Sequence, residues 1–145
     1  VIEPMAEALK LLGMQQAMVL HGRETLDEAG LGEPTDVSVV ENGSVTQEVL
    51  SPEAFGLTPA PLDALKGGEL EENTAILRNV LQGKGTQAQQ DAVALNAGLA
   101  LKVGGLAQGK SCEKTCADGV SQAQEIIKSG AAWEKLEQLV TFLNA

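Results

Sequence analysis

Apolar and polar residues alternate along the chain in two ways, one typical of strands and one typical of helices. A continuous apolar run at 17–20 predicts a strand of the parallel type, buried on both faces of a sheet. Two β-rich runs, 36–41 and 44–49, flank Asn42-Gly43. Both central positions of a tight hairpin turn favour positive φ, so this pattern predicts a β-hairpin.

Helical periodicity dominates the rest of the sequence. Apolar residues three and four apart predict helices over 1–12, from 70 to Gly83, over 86–107, over 111–129 and over 131–143. The segment 86–107 also fits a two-residue period, but its length and its alanine content favour a helix. The positions predicted to pack inward in the helix after 70 and in the last helix are Ile76, Leu77, Val80, Leu81, Trp133, Leu136, Val140 and Leu143.

These elements predict an α/β fold in which one buried strand, a β-hairpin and several packed helices form a single domain. A chain of 145 residues is long enough for one such domain. A parallel-type strand needs neighbouring strands, and few others are predicted here. We therefore expect its neighbours to lie upstream of Val1.

The charge balance restricts the classes of partner. The formal net charge is −10 and the sequence pI is about 4.5. Such a surface repels phosphate backbones, so nucleic-acid binding is not expected, and an anionic substrate would need a local basic patch or a metal ion. No apolar run of membrane-spanning length and no signal-peptide pattern is found, which predicts a cytoplasmic protein without a membrane partner.

Two adjacent acids, Asp27 and Glu28, follow the predicted strand and the His21-Gly22 turn. Loops beyond the carboxyl ends of strands commonly bind ligands in open α/β sheets. Two neighbouring carboxylates repel each other unless a cation or protons intervene, and Mg²⁺ is typically held by one or two carboxylates and by substrate phosphates. The residues alone leave two interpretations open, a magnesium-binding pair and a solvated acidic turn.

A second motif, at Gly104–Ser111, matches the P-loop pattern G-x-x-x-x-G-K-S. A functional P-loop follows a strand and shares its metal with an aspartate from another strand. The segment before Gly104 is predicted to be helical, so we interpret the motif as a connection between two helices. Nucleotide binding through a P-loop remains the alternative.

The two cysteines, Cys112 and Cys116, lie one helical turn apart. They form no Cys-x-x-Cys motif and have no accompanying histidine cluster. This spacing predicts ordinary reduced thiols, without a metal or redox role.

The run from His21 to Glu28, His-Gly-Arg-Glu-Thr-Leu-Asp-Glu, resembles the anthranilate phosphoribosyltransferases, whose second half carries a run of the type His-Gly-x-Asp-Gly-Leu-Asp-Glu. Glu24 and Thr25 replace the usual Asp-Gly, so a local difference in the loop backbone is expected. The acidic pair is intact. Further matches occur in order at Pro34-Thr35, Pro52-Glu53-x-Phe55-Gly56-Leu57, Gly67-Gly68, Glu72-Asn73, Leu95-Asn96-Ala97-Gly98 and Ser129-Gly130-x-Ala132.

The resemblance implies that residues 1–145 are the C-terminal part of a phosphoribosyltransferase/nucleoside-phosphorylase-like α/β domain. It also implies that the N-terminal helical domain and the glycine-rich pyrophosphate loop are absent from the chain. The family transfers the 5-phosphoribosyl group of phosphoribosyl pyrophosphate to anthranilate in tryptophan biosynthesis, usually as a homodimer. A non-catalytic binding relative of the transferase fold is a further alternative.

The resemblance also implies roles for individual residues. In the family, the pair matching Asp27 and Glu28 binds the Mg²⁺ that accompanies pyrophosphate. His21 is expected to position the end of the strand, and Asn73 and Asn96 are expected to form local hydrogen bonds to the backbone. No catalytic residue is assigned, and the substrate-binding residues are expected mostly in the missing part.

Overall fold

The computed structural model describes residues 1–144, and its elements fall close to the predicted segments. Three strands and five helices follow in the order α1 (Ile2–Leu11), β1 (Gln16–Gly22), β2 (Thr35–Glu41), β3 (Ser44–Leu50), α2 (Leu70–Leu81), α3 (Gln87–Val103), α4 (Cys112–Ser129) and α5 (Ala131–Leu143). Short 3₁₀ turns occupy Pro52–Phe55 and Leu62–Leu65. The predicted α/β class is confirmed. Among the described residues, no helix is long and apolar enough to cross a membrane.

The sheet is antiparallel throughout, with the strand order β1-β2-β3. Asn42 and Gly43 both have positive φ and connect β2 to β3, which confirms the predicted hairpin. Within residues 1–144 the first strand has one neighbour, β2, and pairs with it antiparallel from Gln16 to Gly22, so the predicted parallel pairing is not found at this edge of β1. A short apolar run indicates that both faces are covered, but it does not indicate the direction of the neighbouring strand. The expected neighbours upstream of Val1 stay a prediction.

Helices cover both faces of this sheet. On one face, α1 packs against it through a small cluster of Ala6, Ala17 and Val40. On the other face, Val37 and Val39 of β2 join the main core, which α3 and α4 complete. Successive residues of a strand point to opposite faces, so the central strand β2 is buried almost continuously.

Two glycines set the distance between α3 and α4. A Cβ atom added to Gly98 would lie 2.5 Å from the Val120 nitrogen, and one added to Gly119 would overlap the Gly98 carbonyl oxygen. The backbones of the two helices therefore touch, and any side chain at either position would force them apart.

The predicted packing stripes of α2 and α5 are only partly correct. Val80 is buried, and Ile76, Leu81, Trp133 and Leu136 are half-buried. In contrast, Leu77, Val140 and Leu143 are at least half exposed. Helical periodicity identifies the apolar face of a helix but not the element that covers it, and within residues 1–144 the main neighbours of α5 are α2 and α4.

Candidate functional site

The candidate site is the loop that follows β1. The Gly22 amide donates a hydrogen bond to the Leu26 carbonyl at 3.0 Å, and the Leu26 amide donates back to the Gly22 carbonyl at 3.2 Å. The Arg23 amide donates to the Pro34 carbonyl at 3.1 Å, next to the start of β2. These bonds close a tight turn at the carboxyl end of the strand and direct the chain into the acidic pair.

Gly22 allows the acidic segment to pass directly over the end of β1. A Cβ atom at this position would lie 2.8 Å from the Glu28 carbonyl oxygen and 3.1 Å from Leu26 Cβ. Only a residue without a side chain permits this approach. The absence of a side chain at Gly22 therefore lets the backbone of Glu28 pack directly against β1.

Asn96, on α3, holds the residue that follows the acidic pair. Its Oδ1 atom accepts a hydrogen bond from the Ala29 amide at 3.0 Å, and its Nδ2 atom donates to the Ala29 carbonyl at 3.0 Å. A further bond from Nδ2 to the Ala92 carbonyl, 2.9 Å long, orients the amide on the helix. The prediction of a local backbone partner is correct for Ala92 but missed Ala29, which is 67 positions away.

Glu24 stabilises the far side of the same loop. Its carboxylate accepts a hydrogen bond from the Gly32 amide at 3.2 Å and lies against Gly30. Sequence reasoning assigned no role to Glu24, although the Gly-x-Gly spacing of Gly30 and Gly32 is a signal of close backbone packing. Asn73 forms the expected local bonds, to the amide and the carbonyl of Gly68.

The carboxylates of Asp27 and Glu28 are both exposed. Asp27 lines a cavity of about 590 Å³, together with Val1, Ile2, Met5, Val19, Leu20, His21 and Asp36. Within residues 1–144, no group of three or more His, Cys, Asp or Glu side chains is assembled around a point that could hold a metal. Two free carboxylates fit the partial protein shell that Mg²⁺ commonly uses when water and phosphate supply its other ligands.

A second acid of the cavity, Asp36, is already paired. Its carboxylate accepts hydrogen bonds from Arg23 Nη2 at 2.8 Å and from Arg23 Nε at 3.2 Å. The hydrogen bond from Arg23 lowers the pKa of Asp36, and the same bond raises the pKa of Arg23. A carboxyl whose pKa is lowered on folding stabilises the fold above its ordinary pKa, and that contribution is lost as the pH falls through the lowered value. At neutral pH the Asp36 carboxylate is therefore negatively charged, and the positive charge of Arg23 balances it.

His21 is exposed and lines the same cavity, while its backbone pairs with Asp36 across β1 and β2. Its predicted role in positioning the strand end stays a prediction.

The P-loop-like motif Gly104–Ser111 lies in the connection between α3 and α4. Ser111 Oγ caps α4 by accepting a hydrogen bond from the Lys114 amide at 3.3 Å. The segment before the motif is helical, which confirms the interpretation as a helix connection.

Thr25 adopts a left-handed conformation, with φ 65°, at the corner of the loop. This conformation is unfavourable for a β-branched residue, at about 1–2 kcal/mol, and glycine adopts it freely. Thr25→Gly is therefore expected to raise the free energy of unfolding by about 1 kcal/mol in urea denaturation, even though the bond from Thr25 Oγ1 to the Glu24 carbonyl is lost. Thr46→Gly, at an exposed position of β3, serves as the control and should be destabilising by about 0.5–1 kcal/mol. Equal effects of the two changes would contradict a strained Thr25.

Residues 1–133 match the glycosyl transferase family, a/b domain. The chain belongs to this family. Over 97% of its length, this glycosyl transferase chain is 59% identical to the anthranilate phosphoribosyltransferase of Synechocystis sp., of which it covers 39%. The crystal structure of anthranilate phosphoribosyltransferase from Thermus thermophilus is similar over 99% of this chain and 40% of that protein, with a TM-score of 0.85 and 42% identity.

A structure of anthranilate phosphoribosyltransferase from Saccharomyces cerevisiae in complex with PRPP and Mg is also similar. Its TM-score is 0.78 at 25% identity, over 94% of this chain and 38% of that protein. This glycosyl transferase chain thus spans about two fifths of the length of the relatives that it matches. The residues that match the family model, 1–133, include the loop of the acidic pair and the helix that carries Asn96.

Proposed function

We propose that this glycosyl transferase chain belongs to an anthranilate phosphoribosyltransferase of tryptophan biosynthesis. The reaction moves the 5-phosphoribosyl group of phosphoribosyl pyrophosphate to the amine of anthranilate and releases pyrophosphate. The observation that carries the proposal is the acidic pair Asp27-Glu28, which Gly22 and Asn96 hold at the end of β1 in a chain 59% identical to a named anthranilate phosphoribosyltransferase.

In this proposal Asp27 and Glu28 are the protein ligands of Mg²⁺. A bound Mg²⁺ supplies positive charge against the negative charge that develops on the departing pyrophosphate. Other residues of the chain position the acidic pair and set the charge around it. Asn96 fixes the backbone after the pair, and Arg23 neutralises Asp36, so that Asp27 carries the unpaired charge at the cavity. The structure of the Saccharomyces cerevisiae relative in complex with PRPP and Mg supports the choice of ion.

We further propose that the relatives' additional length supplies an N-terminal helical domain and the glycine-rich loop that holds pyrophosphate. Positioning of both substrates contributes a large part of the rate of such a transfer, and two metal ligands account for only a part of it. The active form is then the whole protein, acting as a homodimer in the cytoplasm, with residues 1–145 as the C-terminal portion of its α/β domain.

The test is a fluorescence assay of anthranilate consumption by the full-length protein that contains this chain. We expect the anthranilate signal to fall only when both phosphoribosyl pyrophosphate and Mg²⁺ are present, and to stop falling when a chelator is added. Binding of phosphoribosyl pyrophosphate without consumption of anthranilate would instead identify a non-catalytic relative. Consumption that persists after removal of divalent ions would contradict the role of the acidic pair.

A further inference from the structure

The two cysteines of α4 form a close pair at the beginning of the helix. Cys112 and Cys116 are one turn apart, and their Sγ atoms are separated by 3.9 Å. Cys116 is fully buried in the main core, whereas Cys112 is half-buried and accessible from solvent. The pair therefore consists of one thiol that a small reagent can reach and a second thiol directly behind it.

Lys102 is a buried cation whose charge lowers the pKa of Cys112. The side chain of Lys102, at the end of α3, is only 5% exposed, and its ion-pair partner among residues 1–144 is the exposed Glu41 carboxylate at 3.7 Å. The carboxylates of Glu48 and Glu41 act on Cys112 in the opposite direction to Lys102 and raise the pKa of this thiol. Cys112 is also the first residue of α4, where the helix dipole favours negative charge.

These surroundings distinguish the two thiols electrostatically. The hydrogen bond with Cys116, and then the charge of Lys102, lower the pKa of Cys112, although partial burial acts in the opposite direction. The same hydrogen bond and burial raise the pKa of Cys116. Cys112 is therefore the more acidic and also the more accessible of the two thiols.

We propose that Cys112 and Cys116 form a peroxide-oxidisable dithiol that closes to a disulfide within α4. The Cys112 thiolate attacks one oxygen of hydrogen peroxide, the O–O bond breaks, and the departing hydroxide takes up a proton to leave as water. The Cys116 sulfur then attacks the resulting sulfenic sulfur, and its proton passes to the departing hydroxide, so that a second water leaves. Two thiols and one peroxide become one disulfide and two waters.

Closure requires the first turn of α4 to open locally. In a regular α-helix, Cβ atoms four residues apart are roughly 5–6 Å apart, which is beyond the roughly 3.5–4.5 Å that a disulfide spans. The two sulfur atoms start 3.9 Å apart and Cys112 is the first residue of the helix, so opening this one turn allows them to approach to bonding distance. Within residues 1–144, no third His, Cys, Asp or Glu side chain groups with the pair.

The experiment treats the folded, full-length protein with increasing hydrogen peroxide, blocks the remaining thiols, and examines the peptides by mass spectrometry. We expect the peptide that contains both cysteines to lose two hydrogens and to regain them after treatment with dithiothreitol. In Cys116→Ser, a sulfenic acid should accumulate at Cys112 and react with dimedone. In Cys112→Ser, labelling of Cys116 should be at least about 10-fold slower.

A matched pair of lysine variants tests the contribution of charge. Lys102→Met should slow oxidation of Cys112 several-fold, whereas Lys110→Met, in the exposed connection before α4, should leave the rate unchanged. The measurement on the unmodified protein does not depend on whether Lys102→Met folds. Two free thiols after peroxide treatment, or oxidation of Cys116 before Cys112, would overturn the proposal.

Discussion

Asp27→Asn is expected to lower the rate of phosphoribosyl transfer about 100-fold in the full-length protein. The substitution preserves the size of the side chain and removes one negative charge from the proposed Mg²⁺ shell at the cavity. Loss of one electrostatic contact of this kind in the transition state typically costs about 3 kcal/mol. The measurement is kcat/KM from anthranilate fluorescence at several Mg²⁺ concentrations, and we expect high Mg²⁺ to restore part of the rate.

Glu28→Gln should have a similar effect, and the double variant should lose less than the sum of the two because both carboxylates serve one ion. Glu33→Gln is the matched control, since it removes one charge from an exposed acid of the same loop outside the pair. The free energy of unfolding should be nearly unchanged in all these variants, because both carboxylates are exposed and lack partners among residues 1–144. Normal activity and normal Mg²⁺ dependence in both single variants would identify an ordinary solvated turn.

Gly98→Ala is expected to lower the free energy of unfolding by about 2 kcal/mol. The added Cβ would lie 2.5 Å from the Val120 nitrogen and 2.7 Å from the Val120 Cα, so α3 and α4 have to separate. Overpacking of this kind costs about 1–3 kcal/mol or more, and it outweighs the gain in helix propensity of about 1 kcal/mol from glycine to alanine. Urea denaturation followed by circular dichroism measures the change.

Gly104→Ala is the control for this substitution. Gly104 ends α3 with a negative φ, and the nearest atom to an added Cβ is the Ala100 carbonyl oxygen at 3.4 Å, which is an ordinary contact. The change should therefore be neutral or slightly stabilising. If the Gly98→Ala protein were as stable as the Gly104→Ala protein, the backbones of α3 and α4 would not be in close contact at Gly98. Since Asn96 lies on the same helix, we also expect Gly98→Ala to reduce activity through the position of the acidic loop.

Local sequence patterns were sufficient for most elements of the fold and for the place of the candidate site. Helical periodicity predicted the positions of the helices, and Asn42-Gly43 predicted the hairpin with nearly correct limits. The position of Asp27 and Glu28 just after a strand also follows from the order of residues alone. These features depend on interactions within a few residues, such as φ preference and side-chain repeat, which any single sequence carries.

Partners that are distant along the chain could be identified only after the chain was folded. No local pattern connects the segments that are joined by the antiparallel pairing of β1 with β2, by the bond from Asn96 to Ala29 and by the ion pair of Lys102 with Glu41. Likewise, the apolar face of α5 is evident from periodicity, but its partial exposure depends on which elements pack against it. A repeat within one element specifies the orientation of side chains about that element's own axis, while the contacts across space depend on how all elements pack together.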